Sequence, residues 1–278
     1  MIRGQEIGGQ VITSRQNSLV KLVRGLSNRR AREAERVFVI EGHKIINEAL
    51  SSGVSPEKII VSQRALEHQA VTELLDYPDL NSEVNIVSNE VMEYMSETEN
   101  PSGLIGLVSM PEAQPASLAA LEITPRTLLV IIEGVQDPGN VGTIIRTADA
   151  FGADALITTG GCADIYNGKV LRATMGSIFH IPVISDAEPA ELIAFLKDKG
   201  ITMAATSPGN VAIPLSEVKL MWPSAVVFGS EARGVSPDFC KAAGMLLKIQ
   251  MPGKAESLNV AVAAGIILYQ AFCQRSCM

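Results

Sequence analysis

The chain is poor in the residues that build metal and disulfide sites. Of 278 residues only four are cysteine (Cys162, Cys240, Cys273 and Cys277) and three are histidine, with no two cysteines at CxxC spacing. Thiols so few and so spread form neither a disulfide framework nor a zinc knuckle. They read as reduced thiols, and no metal is expected; Cys273 and Cys277 can share a helix face, but no histidine is near them in sequence. No stretch approaches the ~20 uninterrupted apolar residues of a membrane span. Met1 to Gln10 also lacks the apolar core of a secretion signal, so the expected address is the cytoplasm, without a membrane partner.

Hydrophobic residues make up 47% and charged residues 19%, enough apolar material for packed interiors and too much for long disorder. The length exceeds what one compact core needs, so two domains are expected. The net charge of −7 argues on its face against a nucleic-acid partner, which draws on Lys and Arg. The placement of the charges points the other way. Residues 1 to 36 hold eight basic side chains (Arg3, Arg15, Lys21, Arg24, Arg29, Arg30, Arg32, Arg36) against Glu6, Glu33 and Glu35, a local +5 that leaves −12 on the rest. A basic patch on an acidic body fits RNA contact by one region; a solvated helix face would look similar.

After Thr13-Ser14, the residues Leu19, Val20, Leu22, Val23 and Leu26 recur at helical spacing between Lys21 and Arg24, an amphipathic basic helix. Phe38 to Ile40 reads as a strand, the segment around Ile45 to Leu50 as a helix and Ile59 to Val61 as the next strand, a β-α-β unit. Leu66 to Leu75 reads as helix, Val84 to Val87 as strand, Glu90 to Met95 as a short helix and Leu104 to Val108 as a closing strand. A small α/β domain over 1–109 is followed by a Pro- and Ala-rich linker over 110–126. From 127 onward strands and helices alternate, starting with the apolar run Leu128 to Ile132, and a mostly parallel sheet is expected.

Three loops follow strands of this second half. Glu133 to Gly142 opens a helix with Val141, Ile144, Ile145, Ala148 and Phe151 on its apolar side; Asn140 is a candidate cap, and Arg146, a cation among small and apolar residues, needs a salt bridge to Asp149 or Asp154, or a job. Its Gly139-x-x-Gly142 spacing is not GxGxxG, so the fingerprint of an ordinary dinucleotide fold is missing. The second loop, Gly229-Ser230-Glu231-Ala232-Arg233-Gly234-Val235-Ser236, lets backbone amides approach a ligand while Glu231 accepts hydrogen bonds. The third, Met251 to Asn259, puts Ser257 and Asn259 at a helix start, where capping is the plainer role. In open parallel sheets ligands bind at the carboxyl edge, so the three loops can converge on one pocket.

Taken together, Asp-Pro-Gly-Asn-Val-Gly-Thr-Ile-Ile-Arg at 137–146, Gly-Ser-Glu-Ala-Arg-Gly-Val-Ser at 229–236 and Ser-Leu-Asn-Val at 257–260 resemble the three motifs of the SpoU (TrmH-type) RNA 2′-O-methyltransferases of the SPOUT superfamily. The resemblance runs from about 127 to 275 and includes Tyr166 to Gly176, which is similar to the family's intermotif segment. Ile12 to Asn17 and Phe38 to Gly42 are similar to the ribosomal-protein-like substrate-binding domain often fused to it. The resemblance implies an α/β fold with a deep trefoil knot over 127–278, an exception to the rule against threaded loops. It further implies a homodimer whose pocket is completed across the subunit interface, and S-adenosylmethionine bound through Phe228, Gly229, Glu231, Gly234, Ile249, Met251, Ser257, Leu258 and Asn259. Two positions depart from the pattern: Ala232 stands where glycine is common, and Gln250 where proline is common, which is expected to loosen the cofactor loop.

The implied reaction is methyl transfer to a ribose 2′-hydroxyl of structured RNA, ribosomal RNA ahead of tRNA. Arg146 either takes the hydroxyl proton or fixes the neighbouring phosphate and polarises the hydroxyl; a guanidinium pKa above ~12 makes the second role easier. Asn140 orients Arg146 or the ribose, Glu231 supports the loop, and Ser257 with Asn259 shapes the pocket. Arg15, Lys21, Arg24, Arg29, Arg30 and Arg172 are the expected RNA contacts. A catalytically silent RNA-binding assembly factor of the same fold is the competing reading, and a nicotinamide-dependent enzyme fails for want of GxGxxG.

Overall fold

A computed structural model describes residues 10–78, 80–111, 117–207, 209 and 211–277. Arg3 and Glu6 of the basic segment, and 112–116 of the expected linker, lie outside the described residues. The described residues form two compact units, one taking those up to 111 together with Tyr166–Phe179, the other taking the rest.

In the first unit, α1 (Ser18–Gly25) and α2 (Arg29–Glu35) precede β1 (Val37–Glu41), α3 (His43–Ser51), β2 (Lys58–Ser62), α4 (Gln69–Leu75), β3 (Glu83–Val87), α5 (Asn89–Met95) and β4 (Leu104–Ser109). The sheet order is β1-β4-β2-β3. The expected β-α-β unit is therefore split: β4 lies between β1 and β2, antiparallel to both. Alternation explains why both faces are covered. Phe38, Ile40, Ile59, Val61, Leu104 and Val108 join one core with α3 and α4, while Ile60, Ile105 and Leu107 join a second with Val20 and Val23 of α1 and Val91, Met92 and Met95 of α5. The helix expected over Leu66 to Leu75 is interrupted at His68, with a 3-10 turn Ala65–Glu67 before α4.

Arg32, counted in the basic patch, is 3% exposed, and its Nη1 donates to the carbonyls of Leu26 and Ser27 at 2.6 and 3.0 Å. This guanidinium holds the α1–α2 turn and is buried, not part of the exposed basic surface.

The second unit holds β5 (Leu128–Glu133), α6 (Pro138–Ala150) and β6 (Ala155–Thr159). After Ile165 the chain gives α7 (Gly168–Thr174) to the first unit, then continues with β7 (Val183–Ala187), α8 (Pro189–Asp198), β8 (Thr202–Thr206), β9 (Ile213–Pro214), β10 (Ser224–Gly229), α9 (Pro237–Ala242), β11 (Met245–Lys248) and α10 (Val260–Ser276). Read from sequence as part of the second domain, Tyr166–Phe179 belongs to the first unit because Leu171 is buried in its core and the Tyr166 ring packs on Phe38 with centroids 4.6 Å apart. Conversely Leu118, Leu121 and Ile123, inside the expected linker, pack against the second unit's core. All seven strands are parallel, in the order β7-β6-β5-β10-β8-β11-β9. Every strand residue from Leu128 to Ile132 is buried, the mark of a strand covered on both faces, and each such Leu or Ile contributes about 1.5–3 kcal/mol.

Candidate active site

The site is assembled at the carboxyl ends of β5, β10 and β11. β10 pairs with β5 in parallel, and the register sets Gly229 beside Glu133, so the loops after these strands leave at the same level. Gly229 is fixed by space: a Cβ there would fall on the backbone of Gly234 and Val235. Gly234 closes the turn with φ +66°, a left-handed conformation that side chains other than glycine's adopt at a cost. Glu133 Oε2 accepts from Ser236 N at 2.7 Å and ties the first loop to the second.

Asp137, not Asn140, caps α6. Its Oδ1 accepts from Asn140 N at 2.8 Å and Pro138 follows at the first helical position, where its missing N–H costs nothing. The Asn140 side chain, in the first turn, is thereby released for another use. Its Nδ2 donates to Glu231 Oε1, while its Oδ1 accepts from Asn259 Nδ2 at 2.9 Å. Asn259 is itself the cap of α10, its Oδ1 accepting from the amides of Ala261 and Val262. One chain of hydrogen bonds, Glu231–Asn140–Asn259, thus joins all three loops, with every amide oriented by its donors and acceptors.

Beside that chain opens a cleft of about 510 Å³. Of the residues the resemblance offers for the cofactor, Phe228, Gly229, Glu231, Gly234, Ile249, Met251, Ser257 and Leu258 line it and Asn259 does not; nor does Asn140. Thr206, Ser207, Leu247, Lys248 and Ile267 also line it and were not anticipated. For Thr206 and Ser207 the signal is strand order: β8 lies between β10 and β11, and no motif in the sequence marks its end. Leu247, Lys248 and Ile267 come from β11 and α10, which flank the third loop. The volume lies in the range of small-ligand pockets. An apolar wall of Phe228, Leu247, Ile249, Leu258 and Ile267 suits a planar base, and loop backbone around Gly229 and Gly234 suits its polar edge. Those features fit S-adenosylmethionine. Gln250, expected to loosen this loop, accepts a hydrogen bond from Ser216 Oγ at 3.3 Å.

Arg146 stands exposed on α6, about 9 Å along the axis from Asn140 at the usual helical rise. Neither acid expected to neutralise it does so: Asp149 bonds His180 at 2.9 Å and Asp154 pairs with Arg275 at 3.3 Å. Among the described residues Arg146 makes no hydrogen bond or ion pair, and it is outside the cleft lining. Arg15, Lys21, Arg24, Arg29 and Arg30 are exposed and Arg172 half-buried, and all six belong to the first unit. Arg29 is partly neutralised by Glu33 at 2.7 Å. Among the described residues no group of three His, Cys, Asp or Glu is arranged to hold a metal, and no helix is long and apolar enough to cross a membrane.

Fold and site define an α/β protein with a ligand cleft at the carboxyl edge of a parallel sheet. Comparison with known proteins narrows this to one family. Residues 127–269 match the SpoU rRNA methylase family, and residues 17–106 match the MRM3-like substrate-binding domain. The 23S rRNA (guanosine(2553)-2′-O)-methyltransferase RlmP of Bacillus subtilis is 36% identical, over 93% of this chain and 97% of its own. A solved RNA 2′-O ribose methyltransferase superposes with TM-score 0.81 at 33% identity, covering 96% of this chain and 100% of that one. AviRb of Streptomyces viridochromogenes, a SpoU methyltransferase solved with AdoMet, superposes with TM-score 0.84 at 27% identity over 94% and 99%. The chain belongs to the SpoU rRNA methylase family. It is an enzyme of the S-adenosylmethionine-dependent RNA 2′-O-methyltransferase class.

Proposed function

We propose that the chain methylates a ribose 2′-hydroxyl of large-subunit ribosomal RNA in the cytoplasm, working as a homodimer. The observation that carries this is the Glu231–Asn140–Asn259 chain beside the cleft, which locks three separate loops into one preformed surface. The bound sulfonium supplies an electrophilic methyl group. Phe228, Leu258 and the loop backbone hold the cofactor, and Glu231 and Ser257 give the cleft its polar edge. A hydroxyl is a weak nucleophile and must be aligned for in-line attack and relieved of its proton. Arg146, exposed and unpaired, does this by gripping the phosphate next to the target ribose and polarising the hydroxyl.

Arg146 stands outside its own chain's cleft, which favours a site completed by a second copy. Val262, Ile266, Tyr269 and Phe272 support this: they form an exposed apolar stripe at helical spacing on α10, a surface that a symmetric partner would cover. RlmP is named for action on 23S rRNA and the first unit matches a substrate-binding domain, which favours ribosomal RNA over tRNA.

The test is transfer of labelled methyl from S-adenosylmethionine to protein-free ribosomal RNA, with mapping of the 2′-O-methyl position. Arg146→Lys keeps the charge but loses the fork, and is expected to cut transfer at least ~100-fold with cofactor affinity unchanged. An unchanged rate removes Arg146 from the chemistry.

A further inference from the structure

Two exposed guanidiniums of the first unit share one aromatic ring. Arg15 Cζ lies 4.7 Å and Arg24 Cζ 5.2 Å from the centroid of Tyr94. Their separation is therefore limited to about 10 Å, and like charges that close repel. Among the described residues neither is paired with a carboxylate.

Three elements fix the arrangement. Arg15 sits in the turn before α1, which is fastened to the sheet where Ile12 N donates to Ile86 O at 2.9 Å and Ser88 N to Ile12 O at 3.0 Å. Asn17 then caps α1 by accepting from Leu19 N. Arg24 is in the last turn of α1, and Tyr94 in the last turn of α5, whose Ser88 cap accepts from Val91 N. Val20 and Val23 of α1 pack with Val91, Met92 and Met95 of α5, so the burial of one face sets the other outward. Tyr94 is 38% exposed, a large aromatic with no core to fill. Lys21, one helical turn before Arg24, extends the positive surface.

We propose that Arg15 and Arg24, held on the ring of Tyr94, form a clamp for the phosphodiester backbone of the RNA substrate. Tyr94 is the positioning residue: the negative π-cloud of its ring attracts both cations and holds them at a spacing that free side chains would abandon. The guanidinium forks then meet phosphate oxygens already in place. The clamp reads backbone, not sequence, and its role is to orient the RNA. This inference rests on the reading of the chain as an RNA methyltransferase and adds a site within the first unit.

The experiment measures binding of the full chain to protein-free large-subunit ribosomal RNA across a salt series, with calorimetry for S-adenosylmethionine and thermal unfolding as controls. Tyr94→Leu, with both arginines intact, is expected to weaken RNA binding about five-fold and to lower the slope of log affinity against log salt by about one. Arg15→Gln with Arg24→Gln gives at least the same loss of slope, and Tyr94→Phe, which keeps the ring, restores the wild-type slope. Cofactor affinity stays unchanged in all of them. Weaker binding at an unaltered slope overturns the clamp, as does Tyr94→Leu behaving like wild type. Methyl transfer by the wild type in the same assay then leaves the enzymatic reading standing while the clamp falls.

Discussion

Asn140 shows how much one side chain can carry. Two hydrogen bonds, one given to Glu231 and one accepted from Asn259, use both ends of its amide. Asn140→Asp removes the donor and sets a second carboxylate against Glu231, and since a hydrogen bond to a charged group is worth about 1.5–3 kcal/mol, a fall in methyl transfer of ten-fold or more is expected. Steady-state rates on ribosomal RNA check it. The sequence marked Asn140 as important but misjudged its local role, because Asp137 three residues earlier competes for the cap and wins. Arg146 is the reverse case. The sequence left it a salt bridge or a job, and the two acids offered as partners are engaged elsewhere, by His180 and Arg275, residues 31 and 121 positions away from them. Cys162 is a third. Burial pushes its thiol above the ordinary range, against the opposing pull of the Val135 and Gly134 amides. The thiolate is the reactive form, so alkylation of Cys162 at neutral pH is expected to run at less than about a tenth the rate of exposed Cys277, measured by mass spectrometry of native protein.

At the scale of elements, the turn after β10 is decided by close approach of backbone to backbone. Gly229→Ala drives a methyl into the Gly234–Val235 chain. Since that backbone is held by the bonds from Gly234 N to Ser230 O and from Ser236 N to Glu133, a loss of about 1–3 kcal/mol and of cofactor binding is expected. Thermal unfolding and calorimetry with S-adenosylmethionine report the two effects separately. Strand and helix identities were largely legible, because alternation and helical spacing are local. The pairing of strands was not: β4 entering between β1 and β2 depends on which edges meet, and no pattern within either segment encodes that. The same is true of α7, whose spacing marks a helix but not the core that Leu171 enters.

For the whole molecule, the proposal that a second copy completes the site makes a prediction that a one-chain site does not. Arg146→Ala and Leu258→Arg, the latter filling the cleft, each abolish transfer alone. Mixed and allowed to exchange subunits, they are expected to recover roughly a quarter of wild-type activity, because half the dimers are mixed and each then has one intact site. No recovery, with mixed dimers shown to form by mass spectrometry, places Arg146 and the cleft in one chain.

Sequence by itself determined the chemistry-bearing loops, the parallel α/β character of the second half and the basic character of the amino-terminal segment, because each is written in neighbouring residues. Only the tertiary structure decided that Glu231, Asn140 and Asn259 form one hydrogen-bonded chain, that Arg32 is buried while Arg15 and Arg24 share Tyr94, and that Tyr166–Phe179 belongs with the first unit. The bonds of that chain join residues 91 and 119 positions apart. They exist only once buried strands have fixed which loops leave the sheet side by side.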